Sequence, residues 1–303
     1  MSNLIPSAEF GAVRIYSGEK SGKYPDGNQV IVEGTDYRAA FDSPRVANRI
    51  GADFDGADLV IQGHVHEDHM AGLHRLPDVP VYVHRDDLPA ILSWQGLSAA
   101  YGYDKAIDTP LRESIERDFY YRPRPDAIAY DDGMIWDLGG GVSVRAIHAP
   151  GHTAGHCVLL AEPDGIAFIG DIDLSGFGPY YGDRSSSLAD FRRTLAKLAD
   201  IPAQVWVTSH HRGVYTDRQR FLDDLTIFAG KIELRQQRLL QLIEQQPRDL
   251  KELTAIGVLY KPDANIIWAP YAERRTIAQH LQEMVATGTI ARDSQGRFGL
   301  NAS

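Results

Sequence analysis

The run LVIQGHVHEDH, residues 59–69, sets the tightest limit on what this chain can fold into. Leu59 to Gln62 has the short apolar character of a strand. It gives way at once to His64, His66, Asp68 and His69. Such a segment is either a polar turn rich in histidine or one wall of a metal site. Imidazole and carboxylate are the donors that hold zinc, iron or manganese, so the rest of the histidines decide between the two.

The chain has 11 histidines, and ten of them lie between His64 and His211. They cluster where expected strands give way to loops. HVHEDH follows Leu59 to Gln62, HAPGHTAGH (148–156) follows Val142 to Ile147, and SHH (209–211) follows Gln204 to Thr208, while the dipeptide Gly170-Asp171 follows Ile166 to Ile169. Loops leaving one edge of stacked sheets can converge on a single spot, held still by the scaffold beneath. A site for two metals needs donors for ions roughly 3.5–4 Å apart and a bridging anion. Alternation within HVHEDH puts His64 and His66 on one side and Asp68 and His69 at the following turn, so one segment can serve both ions.

The remaining pattern is β-rich first and helical last. One series of strand-like runs covers Ala12 to Tyr16, Gln29 to Glu33, Tyr37 to Phe41, Leu59 to Gln62 and Val79 to Val83. A second covers Met134 to Leu138, Val142 to Ile147, Cys157 to Ala161, Ile166 to Ile169 and Gln204 to Thr208. Two such series predict two sheets stacked face to face with helices outside. Ser43 followed by Pro44 predicts a helix start. Residues 86–133 interrupt the plan with Trp94, Tyr101, Tyr103, Phe119, Tyr120, Tyr121 and Tyr130 on a segment of helical texture. It is either a satellite core or a cap over a substrate pocket.

From Asp217 the texture changes. Phe221, Leu225, Phe228, Ile232, Leu239 and Ile243 recur at helical spacing up to Pro247. Helical patterns at 249–259 and 273–286 follow, then a hairpin around Asp293 to Gly296, which together make a winged-helix-like unit. The expected division is a catalytic domain over residues 1–216, with 86–133 as its aromatic insert, and a helical C-terminal domain over 217–303.

Four motifs in this order carry a resemblance. HVHEDH matches the H-x-H-x-D-H signature of the metallo-β-lactamase fold superfamily, and GHTAGH, FIGD and the late SHH follow in the order that superfamily uses. Residues 10–215 resemble it. The resemblance implies an α/β (α+β) fold, a four-layer αββα sandwich with its site at one edge. It assigns His64, His66 and His152 to one metal, Asp68, His69 and His210 to a second, and Asp171 to the bridge. The common pattern has a glycine after the last histidine. Here His211, Arg212 and Gly213 follow His210, so His211 stays open as an alternative ligand. His156, with His148, is read as orienting the loop around His152, and stays open as an alternative ligand too. Glu67 is expected to point away from the ions, His74 and His84 to flank helices or face solvent, and Cys157 and His280 to be structural.

The expected cofactor is a pair of divalent ions, zinc first, with manganese and iron as alternatives. The expected reaction is hydrolysis of a small ester, thioester or lactone by a hydroxide bridging the metals, with Asp68 orienting it and passing a proton to the leaving group. No G-x-S-x-G elbow competes with this reading. Phe177, Tyr180 and Tyr181, just beyond Asp171, predict an apolar pocket. The resemblance brings two alternatives. An endoribonuclease or phosphodiesterase is one, since the C-terminal unit resembles the appendage of some RNA-cutting members. A mononuclear-iron persulfide dioxygenase is the other.

Charge weighs against the first alternative. The chain carries 31 Lys and Arg against 41 Asp and Glu. Residues 217–303 hold 12 against 11, which leaves 19 against 30 in residues 1–216. Wrapping a nucleic-acid backbone needs clustered cations, so a nucleic-acid partner is disfavoured without being excluded. No apolar run approaches the roughly 18 residues that cross a bilayer. The start MSNLIPSAEFG lacks the features of a secretory signal, and the single cysteine forms no intrachain disulfide. The expectation is a cytoplasmic protein, a homo-oligomer acting on a small molecule, with no membrane partner.

Overall fold

Alternation along the strands assigns each side chain to one of two interfaces. In the computed structural model, which describes residues 4–261 and 265–301, the first half of the chain forms one sheet. Strands β1 (Ala8–Phe10), β2 (Val13–Tyr16), β3 (Gln29–Glu33), β4 (Arg38–Phe41), β5 (Leu59–Ile61), β6 (Val81–His84) and β7 (Ile128–Tyr130) pair in that order. They run antiparallel to β4 and parallel from β4 to β7. The second sheet contains β8 (Ile135–Gly139), β9 (Val142–His148), β10 (Cys157–Glu162), β11 (Ile166–Phe168), β12 (Val205–Val207) and β13 (Val214–Tyr215), again in chain order. Only its β11 and β12 are parallel.

Val30, Val32, Phe41 and Ile61 of the first sheet meet Val144, Leu159, Phe168 and Val207 of the second in an apolar layer. Their neighbours point outward: Ile31, Ala40 and Val60 pack with Phe54, Ile91 and Leu97. On the other side Val158, Leu160, Ala167 and Trp206 pack with Phe191, Leu195, Phe221 and Phe228. Three apolar layers between two sheets and two helical shells make the αββα sandwich. Sheets covered on both faces lose the polar alternation of a half-exposed sheet, which is why β3 and β10 read as continuous apolar runs.

The aromatic insert contributes the helices Leu88–Leu92, Trp94–Tyr101 and Asp108–Asp118. Trp94, Tyr101, Phe119 and Tyr121 join the outer core of the first sheet, so this segment is no separate satellite. Tyr130 belongs to β7 and donates its hydroxyl to the Gln62 carbonyl at 2.7 Å. After β13 the helix Arg218–Gln245 begins at an Asp217 cap. Its first half buries Phe221, stacked on Trp206 at 4.3 Å. Its second half packs Leu239, Leu242 and Ile243 against the helices Leu250–Ile256 and Ala269–Ala286 and Ile290 of the hairpin β14 (Ile290–Arg292) and β15 (Phe298–Leu300). No helix among the described residues is long and apolar enough to cross a membrane.

Several expectations fail locally. Ser43-Pro44 starts no helix: the Ser43 N–H and hydroxyl both bond the His69 carbonyl, at 2.8 and 3.1 Å. Helical turns come later, at Ala47–Ile50 and Ala52–Asp55, broken by Gly51 at φ +81°. His84 faces neither solvent nor a helix flank. It is buried at the end of β6 and stacks on His148 at 4.2 Å. The last long helix starts at Ala269, earlier than its apolar pattern at Glu273, with Pro270 in its first turn.

Replacing Phe221 by alanine removes a fully buried ring between the second sheet and its helical shell. The expected loss is about 3–5 kcal/mol. Asp249→Ala removes only the capping box with Glu252 and is expected to cost about 1 kcal/mol. Denaturant midpoints at unchanged m-value check both.

Candidate metal centre

The loops following β5, β9, β11 and β12 meet at one edge of the sandwich. There the donor atoms of His64, His66, His152 and Asp171 lie within 4.8 Å of one another, and those of Asp68, His69 and His210 form a second such group. Asp171 stands between them. Its Oδ1 lies 3.1 Å from His69 Nε2 and 3.4 Å from His210 Nε2, while its Oδ2 lies 3.3 Å from His152 Nε2 and 4.0 Å from His64 Nε2. Asp68 Oδ2 sits 3.1 Å from His210 Nε2.

Four of the five rings are anchored through the nitrogen that faces away from the cluster. His69 Nδ1 meets the Asp42 carboxylate at 2.8 Å, and His66 Nε2 meets that of Asp183 at 2.9 Å. His152 Nδ1 donates to the Tyr180 carbonyl at 3.0 Å, and His210 Nδ1 to the carbonyls of Gly22 and Asp26 at 2.8 and 2.9 Å. Such anchors fix ring orientation and turn the other nitrogen toward the cluster, where His66 Nδ1 and His152 Nε2 lie 3.0 Å apart. Asp42 also accepts from Gly63 N–H at 2.6 Å, and its backbone sits at φ +54°, a left-handed conformation tolerated by aspartate more than by most residues.

The donor set fits divalent metal ions. Both nitrogens of His64, Nε2 of His69 and Oδ1 of Asp171 are buried without a hydrogen-bond partner in the protein. Native proteins rarely tolerate such atoms, and a cation among them would satisfy them together. The electrostatics agree. Burial pushes the His64 imidazole well below its ordinary range, which keeps it neutral. Burial also disfavours charge on His69 and His210, but the nearby carboxylates outweigh it: Asp68, Asp171 and Asp42 hold His69 well above its usual value, and Asp171 and Asp68 hold His210 at about 10. The carboxylates thus create a field that demands positive charge.

The other candidates take distinct places. His156 uses Nδ1 on the Ala149 carbonyl and Nε2 on the Asp171 N–H, at 3.1 and 3.3 Å, so both nitrogens are engaged and it seats the backbone of Asp171. His211 turns aside to Asp173 at 3.7 Å. Glu67 faces away from the cluster and accepts the hydroxyls of Tyr101 and of Tyr24, the latter at 3.0 Å. His148 Nε2 bonds the Ala154 carbonyl at 2.8 Å. Cys157 is fully buried and burial pushes its thiol up, which removes it as a nucleophile.

A cavity of about 510 Å³ opens over the cluster, within the range of small-molecule sites. Phe177 and Tyr180 line it, with Tyr101, Tyr103, Leu111 and Ile115 of the insert and Tyr260, Ile266 and Trp268 of the C-terminal region. Tyr181 does not. It is completely buried, with its hydroxyl on His280 Nε2 at 2.9 Å, because it points to the opposite side of the chain from Tyr180. Among the described lining residues Lys23 is the lysine or arginine present. Sequence reasoning missed Asp42, Asp183 and the C-terminal aromatics. Asp42 alone carried a usable signal, an acid ending a strand at the edge where the other loops emerge.

The family model of the metallo-beta-lactamase superfamily matches residues 47–210. The chain belongs to that superfamily. Solved structures agree on the fold over nearly the whole chain. A metallo-beta-lactamase family protein from Thermus thermophilus aligns with TM-score 0.68 at 19% identity, covering 97% of this chain and 100% of its own. A beta-lactamase domain protein from Burkholderia ambifaria gives 0.67 at 16%, covering 98% and 95%. The C-terminal helices therefore lie within the aligned region. Among curated relatives, a beta-lactamase-like protein 2 homolog of Drosophila melanogaster is 26% identical over 50% of this chain and 48% of its own length. A probable polyketide biosynthesis zinc-dependent hydrolase of Bacillus velezensis is 37% identical over 32% and 43%. An atrochrysone carboxyl ACP thioesterase of Pseudocercospora fijiensis is 30% identical over 31% and 27%. The chain thus spans about half the length, or less, of the curated relatives it matches.

Asp42→Ala is expected to weaken metal at the Asp68, His69 and His210 group, and Asp183→Ala at the His64, His66 and His152 group, each by about 10–100-fold. Chelator competition followed by elemental analysis of the protein reads both. Unchanged metal content in both variants would refute the anchoring role.

Proposed function

We propose that the protein is a dinuclear metal-dependent hydrolase acting on a small ester, thioester or lactone, with zinc as the metal. The observation that carries this reading is Asp171, one carboxylate whose two oxygens address two separate donor groups. A pair of divalent cations, when bound, supplies Lewis acidity at the substrate carbonyl and brings the pKa of water toward neutrality.

The chain's own residues would then do the following. His64, His66 and His152 hold one position and Asp68, His69 and His210 the other, with Asp171 between. Asp68, on the cavity wall beside His210, accepts a proton from the attacking water and returns it to the leaving oxygen or sulfur. Cys157 does not compete as nucleophile, since it is sealed in the core. The aromatic walls exclude water and favour an acyl substrate. Glu67, Asp68, Asp171, Asp173 and Asp183 against Lys23 disfavour a polyanion such as RNA. Relatives named as a zinc-dependent hydrolase and an ACP thioesterase support the same class.

The test is metal analysis of the purified protein together with a panel of esters, thioesters, lactones, phosphodiesters and RNA. The expected result is two zinc ions per chain (one per donor group) and acyl hydrolysis that a chelator abolishes and zinc restores. One iron with oxygen uptake, or salt-dependent RNA cleavage without acyl turnover, overturns the proposal. In the same assay Asp68→Asn is expected to lower kcat by about 10²–10⁴-fold while the unfolding midpoint changes little.

A further inference from the structure

One wall of the cavity comes from outside the αββα sandwich. Tyr260 and Trp268 lie in the stretch between the helices Leu250–Ile256 and Ala269–Ala286, and both face the cavity. They join an unbroken series of rings. Phe177 lies 5.7 Å from Tyr260, Tyr260 5.8 Å from Trp268, and Trp268 6.1 Å from Tyr180, centroid to centroid. Tyr180 in turn lies 5.7 Å from His152, a residue of the metal centre. The series thus leads from the donor cluster to the C-terminal region. Its rings meet at steep angles, 86° and 82° at Trp268, so they present edges and faces to whatever lies between them.

This wall is held by a buried charge. Glu273 is 3% exposed, and its carboxylate accepts the backbone N–H groups of Val258 at 2.6 Å, of Leu259 at 3.0 and 3.1 Å, and of Tyr260 at 2.8 Å. Among the described residues no lysine or arginine pairs with it. A buried carboxylate is costly unless its lone pairs are filled, and here backbone donors of the stretch before Trp268 fill them. The geometry makes sense if the exact course of residues 258–260, and hence the placement of the Tyr260 ring, matters to the site.

The composition of the cavity defines what can sit against this wall. Its charged side chains are carboxylates apart from Lys23, and they gather beside the metal centre, whereas the wall itself is aromatic. A negatively charged or strongly polar group would gain nothing there. We propose that Tyr260 and Trp268 bind the acyl group of the substrate, a neutral, apolar group larger than acetyl and of aromatic or medium-chain type, and that Glu273 is the residue that positions Tyr260. This rests on the acyl-hydrolase reading above and names the part of the substrate that reading leaves open. Tyr260 and Trp268 set specificity, and the C-terminal region is thereby part of the substrate site.

The experiment compares acetyl, hexanoyl and phenylacetyl thioesters, and separately measures binding of N-propyl phenylacetamide, an unreactive amide, through tryptophan fluorescence. Tyr260→Ala and Trp268→Ala are expected to lower the ratio of kcat/KM for phenylacetyl over acetyl thioester by about 10-fold or more, and Tyr260→Ala to weaken amide binding similarly. Glu273→Gln keeps the size of the side chain and removes its charge. It is expected to raise KM for the phenylacetyl thioester while retaining kcat, and to speed amide hydrogen exchange at residues 258–260 with the global unfolding midpoint preserved. A selectivity ratio unchanged in both alanine variants, in an active thioesterase, overturns the inference and leaves the hydrolase reading standing. Amide binding that depends on Tyr260, with no turnover of any ester, thioester or lactone, overturns the hydrolase reading and supports the wall as an apolar-acyl site. Absence of both binding and turnover overturns the two together.

Discussion

Asp171 is the contact on which the site depends. A carboxylate inside a ring of imidazoles is stable only if its charge is matched, and burial alone pushes its carboxyl up. The facing His210, His69, His64 and His152 outweigh this and hold it well below the ordinary range. Its backbone is seated by His156, and Gly170, at φ +54°, runs so close to that ring that an added Cβ would lie 2.5 Å from Nε2. The order of dependence runs from a glycine that permits the turn, to a histidine that fixes it, to a carboxylate that spans two donor groups. The sheets supply the edge on which that turn is mounted.

Much of this was legible in the sequence, for a physical reason. Metal donors must converge, and in an αββα sandwich they converge from loops at strand ends, so HVHEDH, GHTAGH, Asp171 and His210 each follow an apolar run. Long strands and the helix Arg218–Gln245 were legible through their periodicity. What escaped was short or remote. Strands β1, β7 and β13 contain three residues or fewer and are only partly buried, so they lack the continuous apolar run that marks the equally short β5, β11 and β12. Asp42 and Asp183 act on rings 27 and 117 residues away in the chain, a pairing that spacing cannot reveal. Ser43 carried the pattern of a helix cap but spends its hydroxyl on the metal-site loop. Tyr180 and Tyr181 looked equivalent, yet adjacent residues of an extended segment face opposite ways.

The C-terminal region shows how a family scaffold acquires a particular cavity. Its long helix is shared between the outer layer of the sandwich and the terminal core, so the region is fixed to the sandwich by apolar packing. Arg235 on that helix donates to the carbonyls of Phe177 and Pro179. Gln279 donates to the Tyr181 carbonyl at 2.8 Å. The loop that begins at Asp171 is therefore braced from behind by residues that never touch the cavity.

The anchors of the candidate metal ligands differ in kind, and the difference bears on how the protein tolerates sequence change. His66 and His69 lean on the side chains of Asp183 and Asp42, where a single codon change would remove the support. His152 and His210 lean on main-chain carbonyls, of Tyr180 and of Gly22 and Asp26. A carbonyl is supplied by every amino acid. At residue 180 the two kinds meet: the peptide group holds His152 whatever the side chain, while the Tyr180 hydroxyl donates at 3.0 Å to Asp183, the anchor of His66. One tyrosine thereby steadies two rings of the same donor group, one through its main chain and one through its side chain.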